Sequence, residues 1–126
     1  MRKVTVAAAQ MSCSWDREET LLKAERLVEE AAAQGANIIL LQELFETPYF
    51  CKTHNFDYLR LAYRMEEDPA VIHFQKKAAQ LGVVIPVSFF EKAGNTTFNT
   101  VAVIDADGRI LGKYRKVHIP DGLPYG

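Results

Sequence analysis

The order of its apolar segments constrains the fold of this chain more than any other feature. Two short, nearly continuous apolar runs, residues 4–11 and 37–41, are each followed by a segment that favours a helix, over residues 18–34 and 69–81. In the first helical segment the apolar residues recur three and four positions apart, with charged residues on the opposite side. Buried strands alternating with helices predict an α/β fold, and right-handed crossovers make the first strands parallel.

Residues at the ends of these segments support the helices. Gly35 is a natural end for the first helix. Asp68 suits the N-cap of the second helix, Pro69 its first position and Gly82 its end. Three further strands are predicted, over residues 83–90, 96–105 and 109–117. Pro86 removes one backbone donor and predicts an edge or a bulge in the first of these.

Composition favours one globular domain and excludes several partners. The chain has 126 residues, of which 48% are apolar, enough for a real core. Its 15 basic and 16 acidic residues are interleaved, which gives no reason to expect nucleic acid or an anionic membrane as partner. No segment approaches the roughly 20 apolar residues of a membrane span. We expect a cytoplasmic protein with reduced thiols at Cys13 and Cys51, which form no close-spaced motif.

Glu43 lies just past the second predicted strand, in the stretch NIILLQELF. A carboxylate in such an apolar run loses hydration, so it must find a partner or shift its pKa upward toward that of a base. Ligands usually bind where strands of an α/β sheet run into loops. The alternative is a structural carboxylate that caps a loop or pairs with an arginine.

Lys116 is the second charged residue in an unexpected place, at the end of the last predicted strand. Alternation along a strand directs Lys116 away from Lys113 and Arg115 and onto the face of Tyr114. If that face is buried, Lys116 is a desolvated ammonium whose obvious partner is Glu43. Lys113 and Arg115 are then expected at the surface, which is also the alternative for Lys116 itself.

A carboxylate and an ammonium facing one crevice suit acyl transfer, with the acid as proton acceptor and the cation stabilising a tetrahedral oxyanion. A nucleophile is still required. Cys13 and Cys51 both lie near predicted strand-end loops, where each could be a thiolate beside Glu43 or a small buried apolar residue.

Other polar and aromatic residues leave two roles open. Tyr49 and Phe50 could line a substrate pocket or pack the loop. Asn99 could contact a ligand, but an amide more often satisfies a nearby backbone group. His118 is expected to be a structural hydrogen-bonding residue rather than an acid–base group.

The segment NIILLQELFETPYF, followed later by GKYRKVHIPDG, resembles the nitrilase superfamily of carbon-nitrogen hydrolases. The resemblance implies that residues 1–126 are the N-terminal portion of a single domain, half of an α-β-β-α sandwich. It makes Glu43 the general base and Lys116 the oxyanion-stabilising cation of a Glu-Lys-Cys site. The family's nucleophilic cysteine lies on a later strand that residues 1–126 do not include, and neither Cys13 nor Cys51 matches it.

Three segments, VTVAAAQM, GVVIPVSFFEKAGNTTFNTVAVIDADG and HIPDG, are particularly similar to those of family enzymes that convert N-carbamoylputrescine to putrescine, ammonia and carbon dioxide. This resemblance implies a carbamoyl-amine substrate, no metal or organic cofactor, completion of the domain by further chain or a second polypeptide, and a homo-oligomer. Glu46 and Asp121 are candidates to meet the distal ammonium of such a substrate. The chain departs from the family where DGPGY becomes DGLPYG, before a second active-site glutamate.

Two other functions remain open at this point. A truncated or split piece without activity would act in assembly or binding. An unrelated doubly wound ligand-binding module is the other, although the sequence has no glycine loop of the dinucleotide-binding type.

Overall fold

The computed structural model describes residues 2–50 and 56–118, which form a twisted sheet with two helices on one face. The strands are β1 (Val6–Ala8), β2 (Ile38–Leu40), β3 (Ile85–Ala93), β4 (Thr96–Ile104) and β5 (Ile110–Arg115). The helices are α1 (Arg17–Ala33) and α2 (Pro69–Leu81), and two short 3-10 helices, Phe56–Leu61 and Met65–Glu67, precede α2. The predicted α/β class and element order are confirmed.

The strands follow one another across the sheet in chain order. β1 pairs with β2 in parallel, and β3, β4 and β5 form an antiparallel meander. A parallel bridge between Ile38 and Val84 joins the two parts. Because described pairing with β2 stops at Val84, β3 has an edge at Pro86, as predicted, and its register with β4 runs through Pro86 without a bulge.

Helix caps explain why the helix bounds were predictable. Asp68 Oδ1 accepts hydrogen bonds from Ala70 N at 2.9 Å and Val71 N at 3.2 Å, and α2 ends before Gly82 in the left-handed conformation. α1 begins one residue earlier than predicted, because Asp16 caps it through Glu19 N at 3.1 Å.

The core lies between the helices and one face of the sheet. It is built from Ile39, Ile85, Val87, Phe89, Ala102 and Ile104 of the strands and Ala24, Val28, Phe74 and Ala78 of the helices. Each fully buried valine, isoleucine or phenylalanine of this set contributes about 1.5–3 kcal/mol. On the opposite face Val6 and Tyr114 are 69% and 63% exposed. The continuous apolar run of β1 predicts a strand covered on both faces, and this expectation is wrong for the described residues.

The turn between β4 and β5 is fixed against α2. Gly108 has φ of +88°, and a Cβ atom there would lie 2.6 Å from the backbone oxygen of Gln75. In return, Gln75 Nε2 donates to Gly108 O at 3.0 Å. Only glycine fits this contact without displacing backbone, so the turn positions the start of β5.

Two charged side chains of β5 bind a buried carboxylate. Lys113 and Arg115 were expected at the surface, and their side chains are 33% and 38% exposed, but both also reach along the inner face of the sheet to Glu91 of β3, which is 2% exposed. Arg115 Nε lies 2.8 Å from Glu91 Oε1, Lys113 binds Oε2, and Thr100 Oγ1 donates to Oε1 at 2.9 Å. A buried carboxylate needs such partners, and the two cations supply them.

Among the described residues, neither helix is long and apolar enough to cross a membrane.

Replacing Glu91 by Gln tests this buried charge. Burial raises the pKa of Glu91, but hydrogen bonds from Arg115, Lys113 and Thr100 outweigh it and lower the pKa from 4.5 to about 2. The lowered pKa stabilises the fold above pH 4.5, and this stabilisation is lost as the pH falls toward 2. We expect E91Q to reduce the free energy of unfolding at neutral pH by about 3 kcal/mol, with the difference vanishing near pH 2.

Denaturant unfolding at a series of pH values measures this difference. Glu67→Gln is the matched control, because the side chain of Glu67 is 58% exposed. A constant difference between E91Q and the unsubstituted protein across the acidic range would contradict the assignment.

Candidate active site

The loop after β2 carries Glu43 and is held at its start by Gln42. Gln42 Oε1 accepts from Met11 N, and Gln42 Nε2 donates to Met11 O, both at 2.8 Å. Beyond the ends of β1 and β2, these two hydrogen bonds continue the pairing between the two segments through the Gln42 side chain. The hydrogen bonds between Gln42 and Met11 therefore fix the start of the loop that carries Glu43.

Leu44 follows Glu43 in a strained backbone conformation. Its φ is +50°, the left-handed region, which costs a bulky L-residue about 1–2 kcal/mol. Leu44 N donates to Ser88 Oγ of β3 at 2.8 Å, and the next residue, Phe45, is fully buried with its ring edge-on to Phe74 at 5.9 Å. Contacts on both sides of Leu44 hold the strained turn.

Two side chains that bind Glu43 come from β4 and from the residue that follows β5. Thr100 pairs with Arg115 in the ladder, and Lys116 N donates to Asn99 O at 2.8 Å, which extends the pairing by one residue. Directly opposite residues of antiparallel strands share a face. Asn99 and Lys116 consequently lie side by side on the face opposite to Arg115 and Glu91.

Glu43 meets both side chains. Its Oε1 atom accepts from Lys116 Nζ at 3.1 Å and from Asn99 Nδ2 at 2.8 Å, across 73 and 56 positions of sequence. The Tyr49 side chain also hydrogen-bonds to Glu43. The predicted contact between Glu43 and Lys116 is present.

Electrostatics keep Glu43 ionised. Burial raises the pKa of Glu43, but hydrogen bonds from Lys116, Asn99 and Tyr49 outweigh it and hold the pKa below its ordinary value. Of the two outcomes expected for this carboxylate, a partner or a raised pKa, the structure shows the partner. An ionised carboxylate is ready to accept a proton.

The predicted exclusion of water is not seen. The side chains of Lys116 and Glu43 are 37% and 42% exposed, because the pair lies on the uncovered face of the sheet. Tyr114, which shares that face, is also exposed. Lys116 is thus not a buried ammonium within the described residues.

The remaining candidates fall in different places. Cys13 is partly buried and contacts Gln42 Nε2 at 3.3 Å, and burial, partly offset by Lys23, raises the pKa of its thiol. A neutral thiol is a poor nucleophile, and no described contact joins Cys13 to Glu43.

Phe50 packs on the rings of Tyr58 and Phe90, with centroids 5.5 and 4.9 Å away. Its described contacts are therefore packing contacts, and its role toward substrate stays a prediction.

Glu46 is 5% exposed and faces Arg17 and Asp68, which does not suit the suggested contact with a substrate ammonium. His118 is exposed, and its role stays a prediction. Cys51 and Asp121 lie outside the described residues.

Sequence reasoning underrated Asn99 and did not find Ser88 or Glu91. Asn99 was expected to satisfy a backbone group, yet its side-chain amide donates to Glu43. One signal was available, since strand pairing through the turn at Asp107 and Gly108 places Asn99 beside the strand that ends next to Lys116. The role of Ser88 depends on the conformation of Leu44, which no local pattern indicates.

Comparison with known proteins identifies the family. The family model of carbon-nitrogen hydrolases matches residues 5–126. The chain therefore belongs to the carbon-nitrogen hydrolase family, the nitrilase superfamily. Its sheet with helices on one face corresponds to one half of the family's sandwich, and the predicted fold class is confirmed.

Several relatives are similar over nearly the whole chain. The chain is 54% identical to N-carbamoylputrescine amidase of Oryza sativa subsp. japonica, covering 98% of this chain and 41% of that protein. It is 45% identical to a citrullinase of Francisella tularensis, covering 99% of this chain and 44% of that protein. The crystal structure of a carbon-nitrogen hydrolase from Helicobacter pylori G27 matches with a TM-score of 0.85 and 30% identity, covering 98% of this chain and 44% of the other. The chain spans about two fifths of the length of these relatives.

Removing the amide of Asn99 tests the electrostatics of the site. We expect Asn99→Ala to raise the pKa of Glu43, because the carboxylate loses one of its donors. The measurement is an NMR titration of carboxyl groups with ¹³C-labelled glutamate. Thr96→Ala, at the exposed start of β4, is the control, and an unchanged pKa in Asn99→Ala would contradict the hydrogen bond.

Proposed function

We propose that this chain supplies the general base and the oxyanion-stabilising cation of an enzyme that hydrolyses a non-peptide C–N bond, with N-carbamoylputrescine as substrate. In this proposal residues 1–126 are the N-terminal portion of a single carbon-nitrogen hydrolase domain. The main support is the contact between Glu43 and Lys116, two distant residues that both lie in the part of the chain matched by the family model.

The substrate assignment draws on the relatives. Proteins named N-carbamoylputrescine amidase are 54% identical in Oryza sativa and 52% in Arabidopsis thaliana. N-carbamoylputrescine and citrulline, the substrate named by another relative, both end in a ureido group. A ureido carbon is the electrophile that the proposed chemistry requires.

In the proposed reaction, a cysteine thiol supplied outside residues 1–126 gives its proton to Glu43 and attacks the ureido carbon. Lys116 lies beside Glu43 and stabilises the negative charge that develops on the ureido oxygen. Glu43 returns the proton to the nitrogen that leaves as ammonia, so that a thioester to the carbamoyl group remains. Glu43 then takes a proton from water, and the resulting hydroxide attacks the carbamoyl carbon. The C–S bond breaks, the cysteine regains its proton from Glu43, and the released carbamic acid decomposes to putrescine and carbon dioxide.

Asn99 and Tyr49 have supporting roles in this proposal. Both hydrogen-bond to Glu43, and Asn99 also holds Lys116 through its backbone oxygen. A base held on several sides loses little freedom when substrate binds, which favours reaction geometry. The face that carries these residues is open here, so we propose that further chain or a second polypeptide closes it. Family resemblance favours a homo-oligomer as the assembled form.

Replacing the two charged residues in the assembled enzyme tests the mechanism. We expect Glu43→Gln and Lys116→Ala each to lower kcat by about 10²–10⁴-fold, because one removes the proton acceptor and the other the charge beside the oxyanion. Ammonia release from N-carbamoylputrescine and from citrulline is the measurement. Lys92→Ala is the control, because Lys92 is an exposed lysine of the same sheet. Unchanged kcat in either variant would remove that residue from the mechanism.

The 126-residue polypeptide alone is expected to release no ammonia from N-carbamoylputrescine. Its described residues present a base and a cation, but Cys13 contacts Gln42 rather than Glu43. The assay uses purified polypeptide whose intact mass has been verified. Turnover by such a sample would contradict the prediction and make Cys13 or Cys51 the nucleophile. Inactivity that persists with the completed domain would favour a role in assembly.

A further inference from the structure

A second pair of acidic groups lies behind the loop that carries Glu43. Glu46 and Asp68 are 5% and 1% exposed, and their side chains hydrogen-bond to each other. Asp68 is also the N-cap of α2, where its Oδ1 atom accepts from two backbone N–H groups. The pair therefore joins the end of the loop to the start of a helix.

The charges around the pair do not neutralise two carboxylates. Among the described residues, the charged groups that face Glu46 are Asp68 and Arg17 of α1. Arg17 Nε is 3.9 Å from Glu46 Oε1, beyond hydrogen-bond distance, and that buried oxygen has no hydrogen-bond partner in the described part of the chain. Arg17 also lies over the ring of Tyr63, 5.1 Å from its centroid. Arg17 can balance at most one of the two carboxylates. If Glu46 and Asp68 were both ionised, one negative charge in this buried site would have no counter-ion.

A hydrogen bond between two carboxyl groups requires one proton. Asp68 accepts from backbone donors at the positive end of α2, so it is the better anion. Glu46 then keeps the proton, and its carboxyl O–H donates a hydrogen bond to Asp68. Burial, and next the negative charge of Asp68, raise the pKa of Glu46 well above its ordinary value.

The pair lies at one end of the strained segment. Glu43 and Glu46 are three positions apart, and Leu44 between them has φ of +50°. A bulky residue persists in that conformation only where the surroundings fix both sides. Leu44 N binds Ser88 on one side, and the contact of Glu46 with Asp68 closes the other.

We propose that Glu46 is a positioning residue, whose carboxyl group, hydrogen-bonded to Asp68, clamps the loop to the start of α2 and keeps Glu43 in contact with Lys116. The catalytic consequence rests on the proposed hydrolase function, whereas the clamp itself does not. Loss of the Glu46 proton at rising pH places two negative charges together, opens the clamp and displaces Glu43.

Three variants of the assembled enzyme test the clamp. Glu46→Ala removes it, and we expect kcat to fall about 100-fold with KM little changed, since a small misplacement of a catalytic group has that effect. Glu46→Gln keeps a donor to Asp68 and cannot ionise, so it retains turnover and extends activity to higher pH. Glu25→Gln is the matched control, because Glu25 pairs with Lys77 between the two helices and leaves the alkaline range unchanged.

Two measurements judge the clamp without turnover. As the pH rises above the ordinary carboxyl range, the free energy of unfolding should fall in the unsubstituted protein more than in Glu46→Gln. The infrared carbonyl band of a neutral carboxylic acid should be present at neutral pH and absent in Glu46→Gln. Both comparisons remain decisive if Glu46→Ala does not fold, and both hold if no ureido compound is hydrolysed and the proposed function fails.

The clamp is overturned by unchanged kcat in Glu46→Ala, or by equal losses of kcat in the Ala and Gln variants. Superimposable pH profiles of unfolding for Glu46→Gln and the unsubstituted protein overturn it as well.

Discussion

The carboxylate of Glu91 arranges β5, and the candidate site depends on that arrangement. Because Glu91 lies in the core, its charge must be met by donors, and Lys113 and Arg115 turn inward to supply them. With Arg115 fixed on the inner face, the next residue, Lys116, can only point to the opposite face. On that opposite face, Lys116 Nζ lies 3.1 Å from Glu43 Oε1. An ion cluster in the core thus determines the direction of a lysine on the other side of the sheet.

The loop from Gln42 to Glu46 is positioned by several weak contacts rather than one strong one. Its backbone is strained at Leu44, and neighbours from β3, α2 and the segment after β1 hold it. Such strain near a reactive group keeps the group in a conformation that the free chain would leave. Precision at Glu43 therefore comes from packing around the loop and not from the loop itself.

Much of the fold was predictable from local signals. Asp68, Pro69 and Gly82 gave the bounds of α2 because capping is a local hydrogen-bond requirement. Strand alternation correctly separated Lys116 from Arg115. It could not tell which face is covered, since that depends on where the helices pack, and the inward turn of Lys113 and Arg115 was therefore missed.

The site was predictable in its charges but not in its neutral partners. A carboxylate in an apolar run and a lysine at a strand end both indicate a missing counter-charge, so Glu43 and Lys116 could be matched. Asn99 carries no charge that demands a partner, and 56 positions separate it from Glu43. The left-handed conformation of Leu44 has no sequence signal, because leucine is among the residues least expected there.

The open side of the sheet affects how sequence variation in this region should be interpreted. Val6, Leu40 and Tyr114 make little contact within the described layer, and each is at least 47% exposed. Replacing them by polar residues would leave this layer almost as stable as before, and would even improve its solubility. In the proposed sandwich the same positions form the seam between layers, where a polar residue is costly. Natural variation there would therefore record selection on the joining of two layers, and a scan of one layer alone would rank these positions among the most permissive.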